Sequence, residues 1–172
     1  MKLVKLFTAF AVPTFVAIFL TPTPIQTIAA QSSKVDFNIA LDHVALSVPD
    51  IEQSAAWYQK MFGFKQVRRG AEPNGMQTAV IQRGDVRIEL FQVPGAVPLP
   101  QSRRNPSEDF RTQGVKHFAF RVKDVRAVLA QLQAKGVKVV FELHDYPGAA
   151  FAFVSDNAGN AVELIQYKKN EP

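Results

Sequence analysis

Four side chains able to hold a divalent metal recur at one spacing. His43 and His117 lie 74 residues apart, and so do Glu89 and Glu163. The match extends around each of them without a gap. His43-Val44-Ala45-Leu46-Ser47-Val48-Pro49-Asp50-Ile51 aligns with His117-Phe118-Ala119-Phe120-Arg121-Val122-Lys123-Asp124-Val125, and Arg87-Ile88-Glu89-Leu90-Phe91-Gln92 aligns with Ala161-Val162-Glu163-Leu164-Ile165-Gln166. Two distant segments sharing one offset point to a tandem duplication. Two imidazoles and two carboxylates form a borderline-soft donor set suited to a divalent transition metal, whose charge the carboxylates neutralise. Cysteine is absent from the sequence. That excludes thiolate zinc sites, iron–sulfur clusters, disulfides and thiol nucleophiles, so a metal must be held by His and carboxylate.

The elements around these residues must bring them to one surface. Side chains alternate along a strand, so His43 shares a face with Ala45 and Ser47, Glu89 with Arg87 and Phe91, His117 with Ala119 and Arg121, and Glu163 with Ala161 and Ile165. The opposite faces are aliphatic and aromatic and should carry helices. If the two copies face each other about a pseudo-twofold axis, the four donors converge on one point. Arg87 and Arg121 share the donor face and are candidates to hold an anionic group of a substrate, the alternative being rim salt bridges.

Each copy reads as strand, helix, strand, strand, strand. The first strand is expected over Leu41 to Val48, followed by a helix capped by Asp50, with Gln53 at the reciprocal position. Its apolar stripe is Ile51, Ala55, Tyr58 and Phe62, and Gly63 ends it. In the second copy Asp124 caps, Val125, Val128, Leu129 and Leu132 form the stripe, and Gly136 terminates. Extended segments follow near 64–69, 77–82 and 86–92, then 137–143, 150–155 and 161–167. The expected class is α+β, with two tandem βαβββ modules at 41–92 and 115–167. The segment 93–113, rich in Pro, Arg and polar residues, is a connector or lid. Trp57, Tyr58 and Phe62 are expected in the core, and Arg68-Arg69, Arg103-Arg104 and Lys168-Lys169 on solvated faces.

At 172 residues, 47% hydrophobic and 20% charged, the chain is long and apolar enough for one cored domain, which rules out disordered and collagen-like classes. Its start has the three-part layout of a signal peptide: Lys2 and Lys5, the uncharged run Leu6 to Leu20, then a polar stretch ending in Ala29-Ala30. A spanning helix needs about 20 predominantly apolar residues, and this shorter run contains Thr8, Pro13 and Thr14. Residues 1–30 are therefore expected to be removed, after Ala29 or Ala30, giving an exported protein, periplasmic or secreted, with no stable membrane insertion. Cleavage lowers the formal charge of +5 by two, too mild a balance to argue for nucleic acid.

The His-led openings of both copies and the closing Gly159-Asn160-Ala161-Val162-Glu163-Leu164 resemble the vicinal oxygen chelate superfamily, which includes glyoxalase I, methylmalonyl-CoA epimerase, extradiol dioxygenases and bleomycin- and fosfomycin-resistance proteins. The resemblance covers about Leu41 to Tyr167. It implies paired βαβββ modules in a cupped, partly open eight-stranded barrel-like sheet around one divalent metal. The order His43, Glu89, His117, Glu163 is most similar to glyoxalase I and implies nickel, cobalt, zinc or manganese. The turn Asp156-Asn157-Ala158-Gly159-Asn160 departs from the Asp-Pro-Asp-Gly-Asn usual there, keeping the Gly but not the Pro.

With such a metal, Glu163 or Glu89 is a candidate base for a proton-transfer isomerase or lyase acting on a small oxygenated substrate. An alternative is an iron(II) dioxygenase using His43, His117 and Glu163, with His144 or Tyr146, on the turn after a strand, as the supporting acid or base. A further alternative is a non-catalytic binder of drugs or metabolites. Homodimerisation is expected, and the cup can close within one chain or between two.

Overall fold

The computed structural model describes residues 40–168 of the chain; the leader expected over 1–30 lies outside them, as does Lys169. Each module starts with a short strand because an Asp ends it and begins a helix. β1 (Val44–Ser47) runs into α1 (Ile51–Phe62), where Asp50 accepts from the Gln53 amide at 2.9 Å and, through its other oxygen, from the Gln53 side chain at 3.0 Å. The Gln53 side chain thus meets the cap's carboxylate rather than its backbone. Gly63, at φ 72°, turns the chain out of α1, a conformation that L side chains rarely adopt. β2 (Lys65–Ala71), β3 (Gln77–Arg83) and β4 (Val86–Gln92) then form a meander.

The second module repeats this plan. β5 (Phe118–Arg121) leads to α3 (Val125–Ala134), capped by Asp124, and β6 (Val139–Asp145), β7 (Ala149–Ser155) and β8 (Ala161–Tyr167) follow. Each module closes on itself: β1 pairs parallel with β4 and β5 with β8, giving the sheet orders β1-β4-β3-β2 and β5-β8-β7-β6. The last strand also reads the helix start. Gln92 accepts from the Ile51 amide and Gln166 from the Val125 amide, both at 3.0 Å, satisfying donors that a helix cannot pair internally.

The α+β class and the tandem βαβββ plan are those of the sequence reading. The first strand is shorter than expected, and both candidate histidines stand just ahead of their strands. The connector is not featureless: it carries a 3-10 turn, Gln101–Arg103, and α2 (Pro106–Asp109). Asp109, buried there, accepts from Arg103 at 3.1 Å and Lys116 at 3.2 Å. Arg103 also donates to the Val115 carbonyl and Arg104 to that of Leu99, so these arginines hold the connector rather than simply being solvated. Lys168 is likewise bound, to Asp145.

One core serves both modules. Ile51, Tyr58, Ile88 and Leu90 of the first and Val125, Leu132, Val162 and Leu164 of the second belong to a single buried cluster. Each such side chain contributes about 1.5–3 kcal/mol on burial. Phe62 and Phe64 pack on Phe120, with ring centroids 5.1 and 5.7 Å apart. In α1 it is Ser54, not Ala55, that is fully buried. Its hydroxyl accepts from Asn157, while Tyr58 donates to the buried Asp156 at 2.9 Å. Burial, followed by the Asp156 charge and this hydrogen bond, pushes the Tyr58 phenol well above its ordinary range. Asp156 also accepts from the backbone amides of Ala158 and Asn160 and from the Asn160 side chain. The turn without its Pro is therefore the joint between modules.

Candidate metal and substrate site

The faces opposite this shared core carry the donors. On the first sheet, register places Ala45, Glu89, Val80 and Arg68 in one row across the four strands. His43, just before β1, brings Nε2 to 3.3 Å from Glu89 Oε2. Its Nδ1 lies 2.8 Å from Asp42, which also accepts from Arg87 at 2.8 Å. The His43 hydrogen bond and, against the opposing effect of desolvation, the Arg87 charge hold the Asp42 carboxyl below its ordinary range. A carboxylate on Nδ1 fixes the tautomer that leaves Nε2 as the donor atom, the usual device behind a metal-binding imidazole.

On the second sheet the corresponding row is Ala119, Glu163, Phe153 and Phe141. His117 Nε2 lies 3.0 Å from Glu163 Oε2. Among the described residues no carboxylate meets its other ring nitrogen, as Asp42 does for His43; aromatic edges flank the ring instead, with Phe153 at 4.7 Å and Phe110 at 6.3 Å between centroids. Glu89 and Glu163 are similarly sheltered, with side chains 16% and 14% exposed.

The four donors thus meet as two pairs and not as one cluster of four. Among the described residues no group of three or more His, Cys, Asp or Glu is close enough to hold a metal ion. The reason lies in the core: the helix-bearing faces of both modules pack on each other, which turns the donor faces away from the shared interior. Within one chain the expected convergence does not occur. As chemistry the set still fits a divalent metal, since each pair offers one imidazole nitrogen and one carboxylate oxygen.

Residues 40–164 match the family described as Glyoxalase/Bleomycin resistance protein/Dioxygenase superfamily. The chain belongs to that superfamily. It is 27% identical over 136 residues to human mitochondrial methylmalonyl-CoA epimerase, covering 73% of each protein. It is 29% identical over 126 residues to lactoylglutathione lyase GLX1 of Arabidopsis thaliana, covering 72% of this chain and 43% of the relative. Its fold is similar to that of the trypanothione-dependent glyoxalase I of Leishmania major, at a TM-score of 0.60 and 21% identity, over 75% of this chain and 87% of the other.

For this glyoxalase-superfamily chain the two candidate arginines separate. Arg87 is engaged by Asp42 and, at 3.3 Å, by Gln82, so it matches the rim-bridge alternative. Arg121 faces no carboxylate among the described residues; its guanidinium lies 4.6 Å from the centre of the Tyr167 ring. His144 lies within β6, not on the turn after it, and β7 separates its strand from β8, which carries Glu163. Two neighbours of the donors escaped the sequence reading. Arg68, solvent-exposed as expected, also donates to Glu89 at 3.1 Å, and the rings of Phe110 and Phe153 flank His117. The pairing of Arg68 depends on the irregularity between Gln66 and Arg68, which no alternation rule anticipates. The aromatic strip was open to reading, since Phe151 and Phe153 alternate with Ala150 and Ala152.

Proposed function

We propose that this is an exported, metal-dependent isomerase or lyase that moves a proton on a small oxygenated substrate, and that its cup is built between two chains. The observation that carries the proposal is the pairing of one His with one Glu on each of two outward-turned sheet faces. A twofold axis that sets the first module of one copy against the second module of another yields two equivalent four-donor sites, the self-complementary arrangement of an isologous dimer. His43 and Glu89 of one copy with His117 and Glu163 of the other would then hold nickel, cobalt, zinc or manganese. The bound ion would supply Lewis acidity, polarising a carbonyl oxygen beside the carbon that exchanges its proton. Similarity to an epimerase and to a lactoylglutathione lyase supports this class of reaction. The leader read in residues 1–30 supports export.

The protein's own groups divide the work. Glu89 is tethered by Arg68, whereas Glu163 has His117 as its one ion-pair partner among the described residues. Freedom to swing toward a substrate carbon therefore favours Glu163 as the base, with Glu89 holding its place. Ala45 and Ala119, beside the two glutamates in register, leave room for the substrate. The Phe153 ring beside Glu163 helps keep water out.

The test mixes two variants, His43→Ala/Glu89→Ala and His117→Ala/Glu163→Ala. Each alone offers only two donors per site and should take up little nickel or zinc. After subunit exchange the mixed dimer regains one complete site, so metal content by elemental analysis rises to about one quarter of wild type if mixing is random. No rise, beside full metal content in the wild type, would place the site within one chain. A metal-free wild type that cannot be reconstituted would end the metal reading.

A further inference from the structure

The donor face of the second sheet carries more than its metal-binding pair. One row reads Ala119, Glu163, Phe153, Phe141, and the next reads Arg121, Ile165, Phe151, His144. The rings form a continuous floor: His117 to Phe153 at 4.7 Å, Phe153 to Phe141 at 5.7 Å, and Phe141 stacked on Phe151 at 5.6 Å with 16° between planes. His144 extends it at 5.4 Å from Phe151. Phe141 and Phe151 keep part of their surface open, and His144 is exposed. Phe153 is itself buried, but Phe141, Phe151 and His144 stand outside the shared core cluster, which lies on the other face of the sheet. In the row of Phe151, one strand beyond Ile165, stands Arg121, with no carboxylate partner among the described residues.

We infer that the ligand of this cup is a planar aromatic compound that presents its oxygens at His117 and Glu163, lies with its ring against Phe141 and Phe151, and carries a second anionic group for Arg121. Strand spacings put Arg121 and Glu163 about 8 Å apart along the sheet, a distance one substituted benzene ring spans. Aromatic rings gain from offset or edge contact with other rings beyond the area they bury, which an aliphatic ligand does not. A guanidinium on the same face adds a charge-assisted hydrogen bond to a carboxylate. The inference rests on the reading of this face as the wall of the substrate cup, and it narrows the small oxygenated substrate to an aryl one.

Three probes of matched chelating oxygens decide it: cyclohexylglyoxylate, phenylglyoxylate and 4-carboxyphenylglyoxylate, titrated by calorimetry into the protein as purified from the exporting cell. Affinity should rise about tenfold from the first to the second, and about tenfold again from the second to the third. Phe151→Leu should remove most of the first gain and Arg121→Gln the second, while neither changes metal content. Equal affinity for the cyclohexyl and phenyl probes overturns the inference, as does failure to bind any of the three. The wild-type comparison needs no variant, so misfolding of Phe151→Leu cannot blur the outcome. The same titrations in chelator-treated protein separate the two readings. A ring preference that persists where no metal can be loaded leaves this inference standing and removes the metal enzyme, whereas full metal content without ring preference removes this inference alone.

Discussion

Across the first sheet the row at the glutamate reads Ala45, Glu89, Val80, Arg68; across the second it reads Ala119, Glu163, Phe153, Phe141. The first and last strands of each module repeat and the middle two do not. What the copies share is the frame and the candidate donors: a His before the first strand, a small residue beside the Glu, an Asp cap, and a Gln at the end of the last strand. What differs is the wall: one cup half is charged and the other aromatic. Even the residue before each His differs, Asp42 orienting His43 and Lys116 bound instead to Asp109. Duplication thus repeated the His–Glu pair, while the middle strands of each module, β2 and β3 against β6 and β7, carry unequal side chains.

The comparison is broken most severely at the joint. Asp156→Ala strands the Tyr58 hydroxyl, two backbone amides and the Asn160 side chain, and should cost about 3 kcal/mol in denaturant unfolding. In the matching β3–β4 turn of the first module, replacement of the exposed Asp85 by Ala should stay within about 0.5 kcal/mol. Comparable losses at the two sites would mean that the joint is not confined to the second module.

The Asp109 clamp, which among the described residues stands beside the second histidine and not the first, gives a pH signature. Burial alone would raise this carboxyl, but the hydrogen bonds and charges of Arg103 and Lys116 outweigh it and hold it below its ordinary range. A lowered folded-state value means that the contribution is present above the ordinary carboxylate range and is lost as pH falls through the folded value. Asp109→Asn should cost about 1 to 2 kcal/mol at neutral pH and flatten the acid limb of a stability-versus-pH curve. An unchanged acid limb would show that the clamp does not contribute.

Gln92→Ala and Gln166→Ala should each cost about 1 kcal/mol, and by equal amounts, because each leaves one first-turn amide unpaired. Unequal losses would show that the repeat is only formal. The smallest effect belongs to Arg68→Gln. This well-exposed side chain should change stability by less than about 0.5 kcal/mol. Should proton exchange into substrate then begin to depend on Glu89, the tether is what had kept the two glutamates apart in role.

The repeat was legible because periodicity and offset are local. Asp50, Asp124, Gly63 and the alternating strands announce their elements without reference to the rest of the chain. The direction in which the two halves face was not, because it is decided by partners nearly a hundred residues apart, such as Tyr58 with Asp156. Those residues read as an ordinary core aromatic and an ordinary turn. Arg103 and Arg104 were misread for a similar reason: a basic pair says nothing of the buried Asp109 or the carbonyls that await it.

The parallel pairing of first strand with last has a consequence during synthesis. β2, β3 and β4 can zip as a local meander, but β1 has no partner until β4 exists, and β5 none until β8 does. Each module must therefore leave the ribosome almost whole before its histidine-bearing edge is laid down, and a chain stopped short of Ala161 would carry β5 as a bare edge open to other chains.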